Sequence, residues 1–146
     1  MKNKRSLKCN ELIKKLCYNL ASGIVDKKVL KLVTIIIEKK TEGTCIEYKR
    51  KSNGDINLQN LKLHIDIWQI RQLCRGYKLC NYYPNRNLIV NKFFTSYKMG
   101  LRFAILHELY HVKARFNKKE YNRFEEVKAD MKARDILELS KKQREV

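Results

Sequence analysis

Residues 97 to 115 read Tyr97-Lys-Met-Gly-Leu-Arg-Phe-Ala-Ile-Leu-His-Glu-Leu-Tyr-His-Val-Lys-Ala-Arg115. Met99, Phe103, Leu106, Tyr110 and Val112 fit helical spacing, which predicts a helix over this stretch. Within it stands His107-Glu108-Leu109-Tyr110-His111, an H-E-x-x-H pattern. Four residues are just over one helical turn, so both imidazoles project from one face, close enough for one tetrahedral ion to reach a nitrogen on each. Zinc is the ion that this chemistry expects. Glu108 is turned off the centre line of the pair but lies beside the open coordination position, where a carboxylate can take a proton from water polarised by a metal.

Two histidines do not complete such a site, because zinc normally takes a third protein ligand and keeps a fourth position for water. The only other histidine, His64, falls on the polar face of a predicted strand and reads as a solvated side chain. A carboxylate is therefore wanted. A second helix is predicted from about residue 118 to 139 on the spacing of Phe124, Val127, Met131 and Ile136, and it carries Glu125-Glu126-Val-Lys-Ala-Asp130. Glu126 and Asp130 are one turn apart and share a face with the small Ala133, which suits a metal-binding Glu126 and an Asp130 that holds an imidazole N–H. Glu125 is rotated by about 100° and is the lesser candidate. The plainer alternative makes both histidines core or surface residues, and makes Glu126 and Asp130 surface charges partnered by Lys128, Lys132 or Arg134.

Upstream, Leu12, Ile13, Leu16, Cys17 and Leu20 predict an amphipathic helix over about residues 10 to 21, ended by Gly23. The β-branched run Val33-Thr-Ile-Ile-Ile37 predicts a strand, and Thr44 to Lys49 a second. Ser52-Asn-Gly-Asp55 reads as a tight hairpin turn with Asn-Gly at positive φ. Leu61, Leu63, Ile65 and Ile67 then alternate with Lys62, His64, Asp66 and Trp68 as a half-buried strand. Residues 68 to 83 read as a short helix or turn and a crossing segment broken at Gly76. After Pro84, Leu88-Ile89-Val90 predicts another short strand. These elements make an α+β domain: an N-terminal helix, a small, twisted, mostly antiparallel sheet and two closing helices. With 146 residues, the chain has room for one core, so residues 1–146 form a single domain with ends near 1–6 and 140–146 expected to be loose.

Hydrophobic residues make up 44% of the chain, which excludes a disordered default state. Against 15 acidic groups stand 33 basic ones, for a net charge of +18 that favours polyanionic partners. The excess is spread over every third of the chain, whereas a nucleic-acid footprint would cluster on one face. Five cysteines, an odd number with no C-x-x-C pair, read as reduced thiols. Glu11, Lys14 and Lys15 interrupt any export segment, and no apolar run approaches the roughly 20 residues needed to span a bilayer. The expectation is a cytoplasmic protein without a membrane partner.

Three stretches together resemble the ImmA/IrrE-type gluzincin metallopeptidases: Asn87-Leu-Ile-Val-Asn91, then Arg102-Phe-Ala-Ile-Leu-His-Glu-Leu-Tyr-His111, then Glu125-Glu-Val-Lys-Ala-Asp-Met-Lys-Ala133 with Ile136-Leu137. That family pairs a strand ending near an Asn with an R-F-x-x-x-H-E-L-x-H helix and an E-x-x-A-[ND]-x-x-A helix. The likeness covers about residues 85 to 137. It implies a minimal zincin-like fold and hydrolysis of peptide bonds, with His107, His111 and Glu126 as zinc ligands. It also implies Glu108 as general base, Asp130 supporting the imidazole of His107, and a mobile-element or stress-response setting in which a DNA-binding regulator is cleaved. Tyr110 stands where the family usually has Gly, so a phenol must be packed there.

For the further donor that often assists such chemistry, Tyr82, Tyr83, Tyr97, Tyr110 and His64 all remain candidates. The Leu88–Asn91 strand is expected to bind an extended substrate through main-chain hydrogen bonds. A competing reading is a basic nucleic-acid-binding module with structural or no zinc, using Tyr48, Trp68, Tyr77, Tyr82 and Tyr83 to stack on bases. Another is a catalytically silent member kept for protein interaction, against which the presence of Glu108 argues. Cys74 and Cys80 match no usual zinc spacing.

Overall fold

The computed structural model describes residues 4–39, 43–76 and 84–145, with side chains described over 8–39, 43–76 and 89–140. The order is α1 (Lys4–Ala21), α2 (Lys27–Leu30), β1 (Thr34–Glu38), β2 (Cys45–Arg50), β3 (Ile56–Asp66), α3 (Ile67–Cys74), α4 (Pro84–Phe93), α5 (Tyr97–Phe116) and α6 (Arg123–Glu145). This is the α+β class the periodicities predict. Strand order is β1-β3-β2; β1 pairs parallel to β3, and β2 pairs antiparallel to it. The sheet is therefore mixed, and β2 is an edge strand.

Leu61, Leu63 and Ile65 of β3 point into the core, while Lys62 and His64 face outward, as the alternation predicts. The strand ends at Asp66, two residues before the alternation does. Asp66 is fully buried and caps α3, its Oδ1 accepting from the Gln69 N–H at 3.2 Å and its Oδ2 from the Gly43 N–H at 3.2 Å. Gln69 Oε1 in turn accepts from the Thr44 N–H at 2.7 Å, which ties the start of β2 to α3. Gly43 lies at φ +90°, and a Cβ there would stand 2.6 Å from Gln69 Nε2. At the hairpin only Gly54 takes positive φ; Asn53 does not, because the turn closes Gly54 N–H onto the Lys51 carbonyl and leaves the left-handed residue at its end.

The expected strand at Leu88–Val90 is instead part of helix α4. Proline suits a first helical position, where its missing N–H leaves nothing unsatisfied. Burial settles the matter: Val90, Phe93 and Phe94 pack inward, and Phe93 stacks on Phe103 of α5 at 5.2 Å between ring centroids. Local β propensity is a weak preference that such packing overrides.

Helix α5 runs through the middle of the molecule and touches α1, α3, α4, α6, β2 and β3. Ser96 caps it, and thirteen of its residues from Gly100 to Arg115 are buried. Tyr110 is packed against the core, half-buried, where the resemblance expects a Gly. The helix ends in a Schellman turn in which the Lys119 N–H reaches the Ala114 carbonyl at 3.0 Å and Lys118 sits at φ 61°. That turn reverses the chain within six residues and brings α6 back against α5. A non-glycine residue at positive φ costs roughly 1 kcal/mol, so Lys118→Gly should raise the melting temperature by about 2–4 °C. Calorimetry on the variant would show it; a lower melting temperature would mean that the Lys118 side chain contributes more than its backbone costs.

Among the described residues, Cys9, Cys17, Cys45 and Cys74 form no disulfide. No described helix is long and apolar enough to cross a membrane. Cys80 and the tyrosines at 77, 82 and 83 lie outside the described residues.

Candidate metal centre

The helical spacing of His107 and His111 does what the sequence predicts, placing the rings 4.8 Å apart on one face of α5 with the two Nε2 atoms at 3.1 Å. Helix α6 supplies the facing carboxylates. Its first turn is capped by Asn122, whose Oδ1 accepts from the Glu125 N–H at 3.1 Å, and that turn carries both Glu125 and Glu126. Ala129 and Ala133, both fully buried, let α6 approach α5 closely. Glu126 Oε2 then lies 2.9 Å from His107 Nε2, and its Oε1 lies 3.2 Å from His111 Nε2.

Each imidazole is held by its other nitrogen. Asp130, fully buried, meets His107 Nδ1 at 2.7 Å. Glu125 meets His111 Nδ1 in a very short contact. With each Nδ1–H donating to a carboxylate, each Nε2 faces Glu126 and would offer a lone pair to an ion that displaces its proton. Three ligand atoms around a tetrahedral ion with bonds of about 2.0–2.1 Å sit about 3.3 Å from one another. His107 Nε2 and His111 Nε2 stand 3.1 Å apart, and Glu126 meets the first with Oε2 at 2.9 Å and the second with Oε1 at 3.2 Å; one ligand atom from each residue falls within 4.8 Å of the others. These three residues are the metal-capable group among the described residues. Two nitrogen lone pairs and a carboxylate converging this closely are a donor set that fits zinc.

Without an ion, the surrounding carboxylates favour the protonated imidazoles, so a bound cation would take the place of that positive charge. Burial disfavours the His107 imidazolium, but the bonds to Asp130 and Glu126 outweigh it and raise its pKa to about 10. His111 also moves up, since Glu126 and the charge of Glu108 outweigh burial. Burial pushes Glu126 upward, yet the two imidazoles hold it far below the usual carboxylate range. The centre draws positive charge into a ring of carboxylates.

Glu125 was expected to face elsewhere, and here the structure differs. It is 6% exposed and grips His111, while Arg115 Nη2 holds it from behind at 2.7 Å. Residues 125, 126 and 130 serve different nitrogens of two successive imidazoles, so rotation around α6 does not remove Glu125 from the site. Arg115 itself is 2% exposed, donates from Nη1 to the Lys119 carbonyl at 2.6 Å, and lies between the rings of Tyr48 at 5.3 Å and Tyr121 at 5.7 Å. Its place was legible: 107, 111 and 115 are spaced by four and share a helical face.

The centre opens into a cleft of about 360 Å³. Glu108, 6% exposed, lines it with Oε1 3.7 Å from His107 Nε2. Tyr48 and Tyr121 line it too; Tyr97, Tyr110 and His64 do not. His64 instead contacts Glu38 through Nδ1 at 2.8 Å on the outer side of the sheet. No family model matches this chain, and neither a curated protein nor a solved structure matches it.

Proposed function

We propose that this protein is a zinc-dependent metallopeptidase of the gluzincin type, similar to the ImmA/IrrE group. The observation that carries the reading is the convergence of His107, His111 and Glu126, each with one ligand atom within 4.8 Å of the others, with Glu108 beside the opening. Zinc would supply Lewis acidity, polarising a carbonyl and lowering the pKa of water toward about 7.

The chain's own residues do the rest. Asp130 and Glu125 hold the two imidazoles through Nδ1 and leave both Nε2 atoms toward Glu126, where they would hold the ion. Glu108 takes a proton from the attacking water on its carboxylate and delivers it to the leaving amine. The partly enclosed cleft, with Phe103 and Ala104 on the floor, limits water around that transfer. An extended peptide finds a sheet edge not at residues 88–91, which are helical, but at β2, whose Ile46 and Tyr48 line the cleft.

A DNA-associated regulator as substrate is consistent with the +18 charge, which would draw the protein toward nucleic acid. The module reading, with base stacking and no catalysis, has less behind it. Tyr48 is engaged with Arg115 in the cleft, and of the five aromatics it invokes only Trp68, 45% exposed, is both described and largely open.

Metal content decides the premise. Purified protein should carry about one equivalent of zinc by elemental analysis, and Glu126→Gln should lose most of it, because a neutral amide replaces an anionic ligand. Absence of metal from wild-type protein supplied with zinc would end the peptidase reading.

A further inference from the structure

The net charge of +18 is spread over every third of the chain, but folding gathers part of it onto one surface. Two segments far apart in sequence meet there, the β2–β3 hairpin and the α5–α6 turn. Arg115 joins them: its guanidinium lies 5.3 Å from the Tyr48 ring centroid and 5.7 Å from that of Tyr121, and it donates to the Lys119 carbonyl at 2.6 Å. Arg50 lies over the same Tyr48 ring at 6.0 Å. The hairpin brings Lys49, Arg50 and Lys51, and the turn brings Lys118, Lys119 and Arg123, all exposed. Among the described residues none of these cations pairs with a carboxylate. Asp55 and Glu120 are the exposed carboxylates of residues 49–55 and 113–128.

Between α5 and α6, beside the turn, is a hollow of about 140 Å³. Tyr110, Lys113, Ala114 and Asn117 share one face of α5 and form one wall, while Lys119, Asn122 and Lys128 face them. The phenol at 110, where the resemblance expects a Gly, is part of that wall. Glu120 and Glu125 also line the hollow, but Glu125 is already held by Arg115 and His111. Three ammonium groups around a polar hollow, none of them spent on an ion pair, suit a phosphate group.

Two aromatic rings stand out of this surface at the start of α6. Phe124 is 72% exposed and Tyr121 51%, and Arg123 lies between them in the chain. A nucleobase stacks on such a ring while its phosphate reaches a neighbouring cation, which is how single strands are held without regard to sequence. Neither ring is among the aromatics that the sequence pattern offers for stacking. Tyr121 also lines the metal cleft, so a strand held here would lie at its rim.

We propose that this surface binds a single strand of nucleic acid, with phosphates on the cations of the hairpin and the α5–α6 hollow and bases on Phe124 and Tyr121. It uses none of the three converging ligands and not Glu108, so it goes beyond the metallopeptidase reading without resting on it.

The test titrates full-length protein against a labelled oligothymidine of about 20 nucleotides, long enough to cover one such site, by fluorescence anisotropy at several salt concentrations. The logarithm of affinity should fall against that of salt with a slope of about −3 or steeper, the value for four or more phosphate contacts on a single strand. Phe124→Ala should weaken binding about tenfold and leave the slope unchanged. Lys119→Gln with Lys128→Gln should weaken binding and flatten the slope by about 1.4. Lys8→Gln with Lys15→Gln removes the same charge from α1 and should change affinity by less than about twofold. A duplex of equal length, whose bases are already stacked, should bind at least about fivefold more weakly. Absence of binding, an unchanged affinity in Phe124→Ala, equal losses in the two lysine pairs, or tighter binding of the duplex each overturns the proposal. Binding with these responses in a protein that hydrolyses no peptide would uphold the surface and overturn the peptidase reading; hydrolysis by a protein that binds no oligonucleotide does the reverse.

Discussion

Glu108→Gln should abolish peptide hydrolysis while leaving zinc content and melting temperature near those of the wild type. The amide keeps the size and most contacts of the carboxylate, and Glu108 is not one of the three converging ligands, so the metal centre should form as before. What disappears is the base. General acid–base catalysis by a positioned side chain contributes about 10²–10⁴-fold, so kcat should fall by at least about a hundredfold with little change in KM. Single-turnover hydrolysis of a cleaved peptide, measured beside elemental analysis on the same samples, checks it. An active Glu108→Gln protein would remove Glu108 from the chemistry, while a zinc-free one would make it a ligand or a structural prop.

The second large effect concerns folding. Arg115→Met should lower the melting temperature by about 10 °C, because it leaves the buried Glu125 carboxylate without its cationic partner, with only His111 still bonded to it. Both side chains are nearly inaccessible, at 3% and 8% of their surface, and their contact is 2.7 Å. Removing one partner of a buried ion pair costs about 3–5 kcal/mol, and each kcal/mol corresponds to roughly 2–4 °C in a domain of this size. The lost bond to the Lys119 carbonyl and the lost stacking between Tyr48 and Tyr121 act in the same direction. Adding Glu125→Gln to Arg115→Met removes the stranded charge and should recover part of the loss, giving a clear interaction energy in a double-mutant cycle. Additive effects of the two changes would show that Arg115 stabilises the 117–122 turn and does not act through Glu125. Zinc affinity should weaken in Arg115→Met as well, because Glu125 then holds His111 less firmly; loss of such a supporting partner typically costs 10- to 100-fold.

These two predictions address different layers of the centre, and the layers were not equally readable in the chain. The His107-Glu108-x-x-His111 spacing and the Glu126/Asp130 turn are local patterns. Both depend on the 3.6-residue period, and the structure brings them together across α5 and α6. The strand at Leu61–Ile65 and the amphipathic N-terminal helix are equally local; the strand falls where its period predicts, and the helix ends at Ala21 as expected but begins at Lys4, six residues before the expected start. Where two local preferences conflicted, the chain alone was ambiguous. Leu88-Ile89-Val90 has β-forming residues, and only the burial of Val90, Phe93 and Phe94 against α5 makes the segment a helix. Asp66 looked like an outward strand residue until the Gly43 and Gln69 amides closed around it.

From the amino-acid order alone come the helix that presents two imidazoles and the carboxylates that could complete them, because each is a repeat within one or two turns of backbone. The tertiary structure alone decides that Glu125 and Arg115 clamp His111, that β2 supplies the cleft's edge, and that Tyr48 and Tyr121 line it while Tyr97 and Tyr110 do not. Those contacts join residues far apart in the chain or on separate elements. Their geometry is set by how closely Ala129 and Ala133 let α6 settle on α5 and by how the sheet packs around that pair, which no local period encodes.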